Sequence, residues 1–172
     1  MALRFITSAM LTVVLLTAPS YALEKASESR QQEIERRGAQ VMPFSMERTL
    51  HIFTKTENGG IQQVVVKDPS DARQITLIRE HLSKISKEFA QGNFSDPASI
   101  HGKDMPGLPE LEKARPGQLK IEYKEIPTGG QIAYSSVNPE MIDAIHRWFD
   151  AQLADHAGHA VSGHGDHPMG KE

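Results

Sequence analysis

The sequence predicts an α+β domain in which two ββα units form a four-stranded antiparallel sheet with two helices on one face. The first observation is a pair of strand-like runs around a Gly-Gly turn, which occurs at Gly59-Gly60 and again 70 residues later at Gly129-Gly130. The second is an Asx-Pro helix start, at Asp68-Pro69 and 70 residues later at Asn138-Pro139. One unit buries its sheet face and helix stripe poorly, so we expect two units side by side.

Residues 1–22 have the three-part pattern of a secretory signal peptide. Arg4 precedes an apolar run, Phe5 to Ala18, and Pro19, Ser20 and Ala22 supply a helix break and a small-residue cleavage site. The run is shorter than the about 20 apolar residues that span a bilayer. We therefore expect a periplasmic or secreted protein, cleaved after Ala22, with no stable membrane insertion of the mature chain.

The first unit follows a charged N-terminal arm, residues 23–47, for which we expect a short surface helix or a mobile segment. Strands are predicted over residues 49–56, with His51 and Phe53 on one face, and over residues 61–67. Asp68 then begins a helix that runs to about residue 91, with an apolar stripe at three- and four-residue spacing. A long loop, residues 92–107, ends this unit, and residues 108–114 add a helical turn.

The second unit repeats this order. Strands are predicted over residues 118–126 and 131–137, and Asn138 begins a helix that carries Ile142, Ile145, Phe149 and Leu153 on one stripe and reaches His156. The two units make one domain, residues 48–157. The remaining residues, 158–172, are small, polar, Gly-rich and His-rich, and we expect a disordered tail.

Composition restricts the chemistry. A net charge of −3 argues against nucleic-acid binding through a basic face. The chain has no cysteine, so any metal would need His, Met or carboxylate ligands. The sequence contains no Gly-x-Ser-x-Gly elbow, His-Glu-x-x-His helix or phosphate-binding glycine loop, so we assign no catalytic residue and lean against an enzyme.

The histidines are the most informative residues, because neutral imidazole is the commonest protein ligand for zinc, copper and nickel. The predicted metal ligands are all eight of them: His51, His81, His101, His146 and His156 in the domain, and His159, His164 and His167 in the tail. His146 and His156 share one helix but point about 80° apart, so they cannot chelate one ion as an i, i+4 pair. Each has a structural alternative, a hydrogen-bonded histidine at the core edge, and the tail has the alternative of incidental metal binding.

Several motifs together resemble a family of small exported bacterial proteins commonly labelled aspartate carbamoyltransferase. The motifs are Gly92-Asn-Phe-Ser-Asp-Pro97, Ser99-Ile-His-Gly102, Asp104-Met-Pro-Gly-Leu108 and the stretch from Ala144 to Gln152 with Asp155-His156, and the similarity runs from about His51 to His159. The resemblance implies that the five domain histidines act together. The named activity does not follow, because a carbamoyltransferase needs two α/β domains and a phosphate loop at a helix N-terminus.

These observations lead to one main hypothesis and two alternatives. We expect a periplasmic metal-binding protein for metal buffering or resistance, with copper as the first candidate ion and zinc or nickel next. The first alternative is a non-catalytic interaction module with pH-sensitive histidines, as a homodimer or with a periplasmic protein partner. The second is a haem protein or a histidine-dependent enzyme.

Overall fold

The computed structural model describes residues 25–163. The predicted signal peptide, residues 1–22, and the part of the tail that contains His164 and His167 lie outside the described residues.

The core of the fold is a five-stranded mixed sheet. Strands β1 (Thr49–Thr56) and β2 (Gly59–Val66) form one hairpin, and β3 (Lys120–Ile126) and β4 (Gly129–Ser135) form the other. The two hairpins join through antiparallel pairing of β2 with β4, so that the strand order is β3-β4-β2-β1-β5. The α+β prediction is therefore confirmed, and both predicted hairpins are present.

The fifth strand is a correction to the predicted sheet. Strand β5 (Ala160–Ser162) pairs in parallel with β1, with Ala160 opposite His51. Its residues belong to the segment predicted as a disordered tail. Their small side chains gave no strand signal, and pairing with β1 stabilises the strand. Pairing with β5 gives the outer backbone groups of β1 hydrogen-bond partners that an edge strand lacks.

Five α-helices accompany the sheet within residues 25–163. Helices α2 (Ala72–Phe89) and α5 (Pro139–His156) pack on the sheet, α2 against β2, β3 and β4, and α5 against β1, β2 and β5. The predicted long loop contains α3 (Ser95–His101) and is followed by α4 (Leu108–Glu112). The charged arm contains α1 (Glu28–Val41), which packs on α3 and α5 and buries Ile34. The arm is therefore a third structural layer.

The two predicted helix starts have different outcomes. Asn138 lies directly before α5, and its side-chain oxygen accepts a hydrogen bond from the Glu140 N–H at 2.9 Å. Asp68 instead accepts from the Ser70 N–H at 2.9 Å within a turn, and Asp71 caps α2 through the Gln74 N–H at 3.2 Å. The first helix therefore begins three residues later than predicted, because a second Asp offers the better cap.

The two Gly-Gly pairs belong to strands rather than to the turns we predicted for them. Gly60 lies in β2 and Gly130 in β4, each after its hairpin turn. A side chain at Gly60 would overlap the Phe149 ring of α5, and a Cβ at Gly130 would lie 3.0 Å from Leu82 Cδ1 of α2. The recurrent glycines therefore let each helix approach the sheet closely.

Candidate metal centre

Four of the predicted histidines surround one small cavity between the sheet and the helices. His51 comes from β1, His81 from α2, His101 from the end of α3 and His156 from the end of α5, and the cavity has a volume of about 50 Å³. That volume holds a few water molecules or an ion with a small ligand. Sequence positions far apart are thus brought to a single place.

Each histidine reaches the cavity because of its position in its element. His51 lies on the same face of β1 as Thr49 and Phe53, and all three side chains are buried. His156 continues the inner stripe of α5 by four residues from Gln152, and both side chains are buried. His51, His101 and His156 are only 4%, 5% and 7% exposed, so all three imidazoles are withdrawn from water.

His156 lies at the centre of the group. Its ring centroid is 5.1 Å from that of His51 and 4.9 Å from that of His101. Two imidazoles on one tetrahedral ion, at metal–nitrogen distances of about 2.0–2.1 Å, have centroids about 5 Å apart. We call His51, His101 and His156 the histidine triad. His81 is separated from it by Phe44, whose ring is 5.9 Å from the His51 ring and 5.6 Å from the His81 ring.

The rings of the triad are close enough to share an ion, but their side chains are not arranged to bind one. Within residues 25–163, no three His, Asp or Glu side chains are arranged so that they could hold a metal ion as they stand. Adjacent rings whose nitrogens do not converge require rotation about the side-chain torsions before they share an ion.

A carboxylate fixes the orientation of His101. His101 Nδ1 donates a hydrogen bond to Asp155 Oδ2 at 2.8 Å, because the carboxylate only accepts. Arg30 of α1 holds that carboxylate with Nε at 3.2 Å from Oδ1 and Nη2 at 2.8 Å from Oδ2, and its Nη2 also donates to the His101 carbonyl at 2.6 Å. The remaining nitrogen, Nε2, therefore keeps its lone pair. This carboxylate–histidine arrangement is typical of metal ligands.

His156 has a polar atom with no partner. Its Nδ1 is buried and makes no hydrogen bond to any group that the structure describes. Leaving a buried polar atom unsatisfied costs about 1–3 kcal/mol. Buried polar atoms are usually paired with protein or with an ordered water, and this one lies beside a cavity lined by other imidazoles.

Burial keeps the imidazoles neutral. Desolvation lowers the pKa of His51 to about 3 and lowers the pKa of His156 well below its ordinary value, and the neighbouring histidines lower both further. Burial also lowers the pKa of His101, although Asp155 opposes the shift, and lowers the pKa of His81. Neutral imidazole is the form that binds metals, so the triad needs no proton release at neutral pH.

The other predicted ligands lie elsewhere. His146 is on a different side of α5, where its Nε2 donates to the carbonyls of Thr56 and Gly59 at 3.0 and 2.8 Å. It anchors the first hairpin to α5 and does not line the cavity, so the structure does not bring it together with the other four histidines. His159 lies near the surface with Nε2 3.4 Å from Glu35 Oε1.

Sequence reasoning missed Asp155 and Arg30. Asp155 was visible within the Asp155-His156 pair, but only the helix register shows that its carboxylate meets His101 and not its neighbour. Arg30 had no signal, because it is one of several charged residues in an apparently unpatterned arm.

Comparisons of the chain with protein-family models, with curated proteins and with solved structures find no match. Among the described residues, no helix has both the length and the apolar character needed to cross a membrane.

Proposed function

We propose that this protein binds a metal ion in the histidine triad, with copper as the favoured ion and zinc or nickel as alternatives. The observation that carries the proposal is the contact of three buried, neutral imidazoles beside a cavity of about 50 Å³. His101 Nε2, His156 and His51 would supply the ligands. Binding would turn the rings of His51 and His156 so that their nitrogens meet.

Three features support this function over a purely structural histidine cluster. Asp155 and Arg30 hold His101 in the tautomer that leaves Nε2 unprotonated. The buried Nδ1 of His156 has no hydrogen-bond partner among the described groups, which leaves it available to a ligand. Met42 also lines the cavity, and a thioether beside imidazoles favours copper over harder ions.

The biological setting is part of the same proposal. We propose export of the chain to the periplasm or beyond, buffering or resistance as the role of metal binding, and membership of the family of small exported proteins that the sequence resembles. His159, His164 and His167 would then recruit ions near the chain end. The haem alternative has no support at the triad, because a cavity of about 50 Å³ does not admit a porphyrin.

Metal titration of the purified mature protein tests the proposal. Cu⁺ and Zn²⁺ are each supplied from a chromophoric chelator, and the retained metal is measured after desalting. We expect one ion per chain and at least about 100-fold weaker binding in His101→Gln and in His156→Gln, since each removes a ligand.

Two matched controls separate the triad from other histidines. His146→Gln removes an imidazole from the same helix and should change the affinity by less than about twofold, because the triad is intact. His164→Ala with His167→Ala removes the chain-end pair. If wild-type protein retains neither ion, or if only the chain-end variant loses binding, the triad is not the site.

A further inference from the structure

We propose that a metal ion reaches the histidine triad through a neighbouring surface cleft, with the Met42 and Phe44 side chains as a movable wall between the two. This inference rests on the proposed function. The cleft has a volume of about 440 Å³ and lies beside the end of α1 and the turn that follows it. Its lining includes Glu35, Met46 and Glu47.

The cleft and the cavity share a wall. Met42 and Phe44 line both spaces. The Phe44 ring packs in T-shaped geometry with the His51 and His81 rings, which also line the cavity. An ion that passes these two side chains therefore arrives directly beside a triad histidine.

Of the two wall side chains, Met42 is the one that can move. It follows the last residue of α1 and is half-buried, and a methionine side chain has three rotatable bonds. Its methyl group lies over α1, where a Cβ added at Gly38 would be 2.7 Å from Met42 Cε. The backbone beyond it is held by the Ser45 N–H, which donates to Gln74 Oε1 of α2 at 2.7 Å. Rotation of one side chain therefore opens the wall without displacement of the turn.

The outer end of the cleft has groups that attract and bind cations. Glu35 and Glu47 come from different elements and place their carboxylates 3.4 and 3.8 Å from His159 Nε2. Both carboxylates are well exposed, at 51% and 82%. Two negative charges at the opening raise the local cation concentration, although Arg73 in the same lining reduces the effect. Met46 also lines the cleft, and Met42 lines both the cleft and the cavity.

The test is the rate of metal loading, measured with the ion that wild-type protein retains in the titration. The ion is released from a chromophoric chelator, and the chelator spectrum is followed in time at low ionic strength. Glu35→Gln with Glu47→Gln should load about three- to tenfold more slowly, and the difference should disappear near 0.5 M salt. Both rates should lead to the same final occupancy, because the triad is unchanged.

Two further variants make the test specific. Glu122→Gln with Glu125→Gln removes the same charge from the far edge strand β3 and should load at the wild-type rate. Met42→Ala removes the movable wall and should approach its own final occupancy at least about threefold faster than wild-type protein, since less side-chain motion is needed. Circular dichroism verifies that each variant is folded. If Met42→Ala fails to fold, Met42→Leu takes its place. Its loading rate should then be equal to or below the wild-type rate.

The outcomes separate this inference from the proposed function. If wild-type protein takes up neither ion, the function and the route both fail. If it takes up an ion but the two charge pairs slow loading equally, or removal of Met42 leaves the rate unchanged, the route is wrong and the triad remains the binding site.

Discussion

Acid should destabilise the metal-free protein strongly, because His51 and His156 are buried as neutral imidazoles. Burial lowers the pKa of His51 from its ordinary value of 6.5 to about 3 in the folded chain, and the pKa of His156 also falls well below 6.5. Below pH 6.5 the unfolded chain takes up protons that the folded chain does not. Stability is therefore complete above about pH 6.5 and is lost as the pH falls from there towards the folded-state pKa values.

The size of the effect follows from this difference in proton binding. At pH 5, each histidine of the unfolded chain is about 1.5 pH units below its pKa, which favours unfolding by about 2 kcal/mol per residue. His51 therefore lowers the free energy of unfolding by about 2 kcal/mol between pH 7.5 and pH 5, and His156, whose pKa is lowered in the same direction, adds to this loss. Typical total stabilities are about 5–15 kcal/mol, so the change is large.

Urea denaturation at pH 7.5 and pH 5, with a chelator present, measures this change. The loss should exceed about 2 kcal/mol in wild-type protein and should be smaller by about 2 kcal/mol in His51→Gln, since this variant removes one titrating group. Phe53→Leu on the same strand is a control that lowers stability without changing titration, and it should keep the full loss. A wild-type loss below about 1 kcal/mol, or a full loss in His51→Gln, would refute the reasoning.

Two other predictions concern the surroundings of the triad, a third concerns the packing against α5, and a fourth concerns the bound ion. Asp155→Asn should weaken metal binding by about 10- to 100-fold in calorimetric titration, because His101 loses its orienting carboxylate; a change below twofold would contradict this. Arg30→Met should lower the free energy of unfolding by about 1–3 kcal/mol in urea, because Asp155 keeps its charge and loses a bidentate partner; unchanged stability would show that the pair is dispensable. Gly107 has φ of 83° and lies against the Ala144 carbonyl of α5, so Gly107→Ala should cost about 2–4 kcal/mol, with Gly117→Ala as a control at similar φ and in open space. Saturating metal, at about 100 times its dissociation constant, should stabilise wild-type protein by about 2.7 kcal/mol and leave His156→Gln unaffected.

The sheet and its two main helices were predictable because local signals agree with the final packing. The strand over residues 49–56 has the predicted bounds, and Asn138 precedes α5 where proline allows a helix to start. Strand β5 was not predictable in the same way, because three residues of a Gly-rich segment have little strand preference of their own. Their partner, β1, is more than 100 residues away in the sequence.

The site was predictable in its residue types and only partly in its geometry. Histidine density and the lack of cysteine directed attention to imidazole ligands, and the structure brings His51, His101 and His156 together. The helix register correctly predicted that the His146 and His156 side chains point in different directions. It did not show that His146 hydrogen-bonds to the first hairpin. Arg30 could not be identified, because a side chain that binds a carboxylate 125 residues away leaves no local pattern.

Contacts between the two ends of the described chain determine when the site can form during synthesis and the proposed export. Arg30 lies near the beginning of the described chain, and Asp155, His156 and β5 lie near its end. A ribosome or a translocation pore delivers these parts in order, so an emerging chain holds His51 and His81 long before their partners arrive. Contacts of such high sequence separation also form slowly. A chain that stops before residue 155 therefore has isolated imidazoles and no triad. Under the proposed function, the compartment in which the last residues appear would select the ion that is bound.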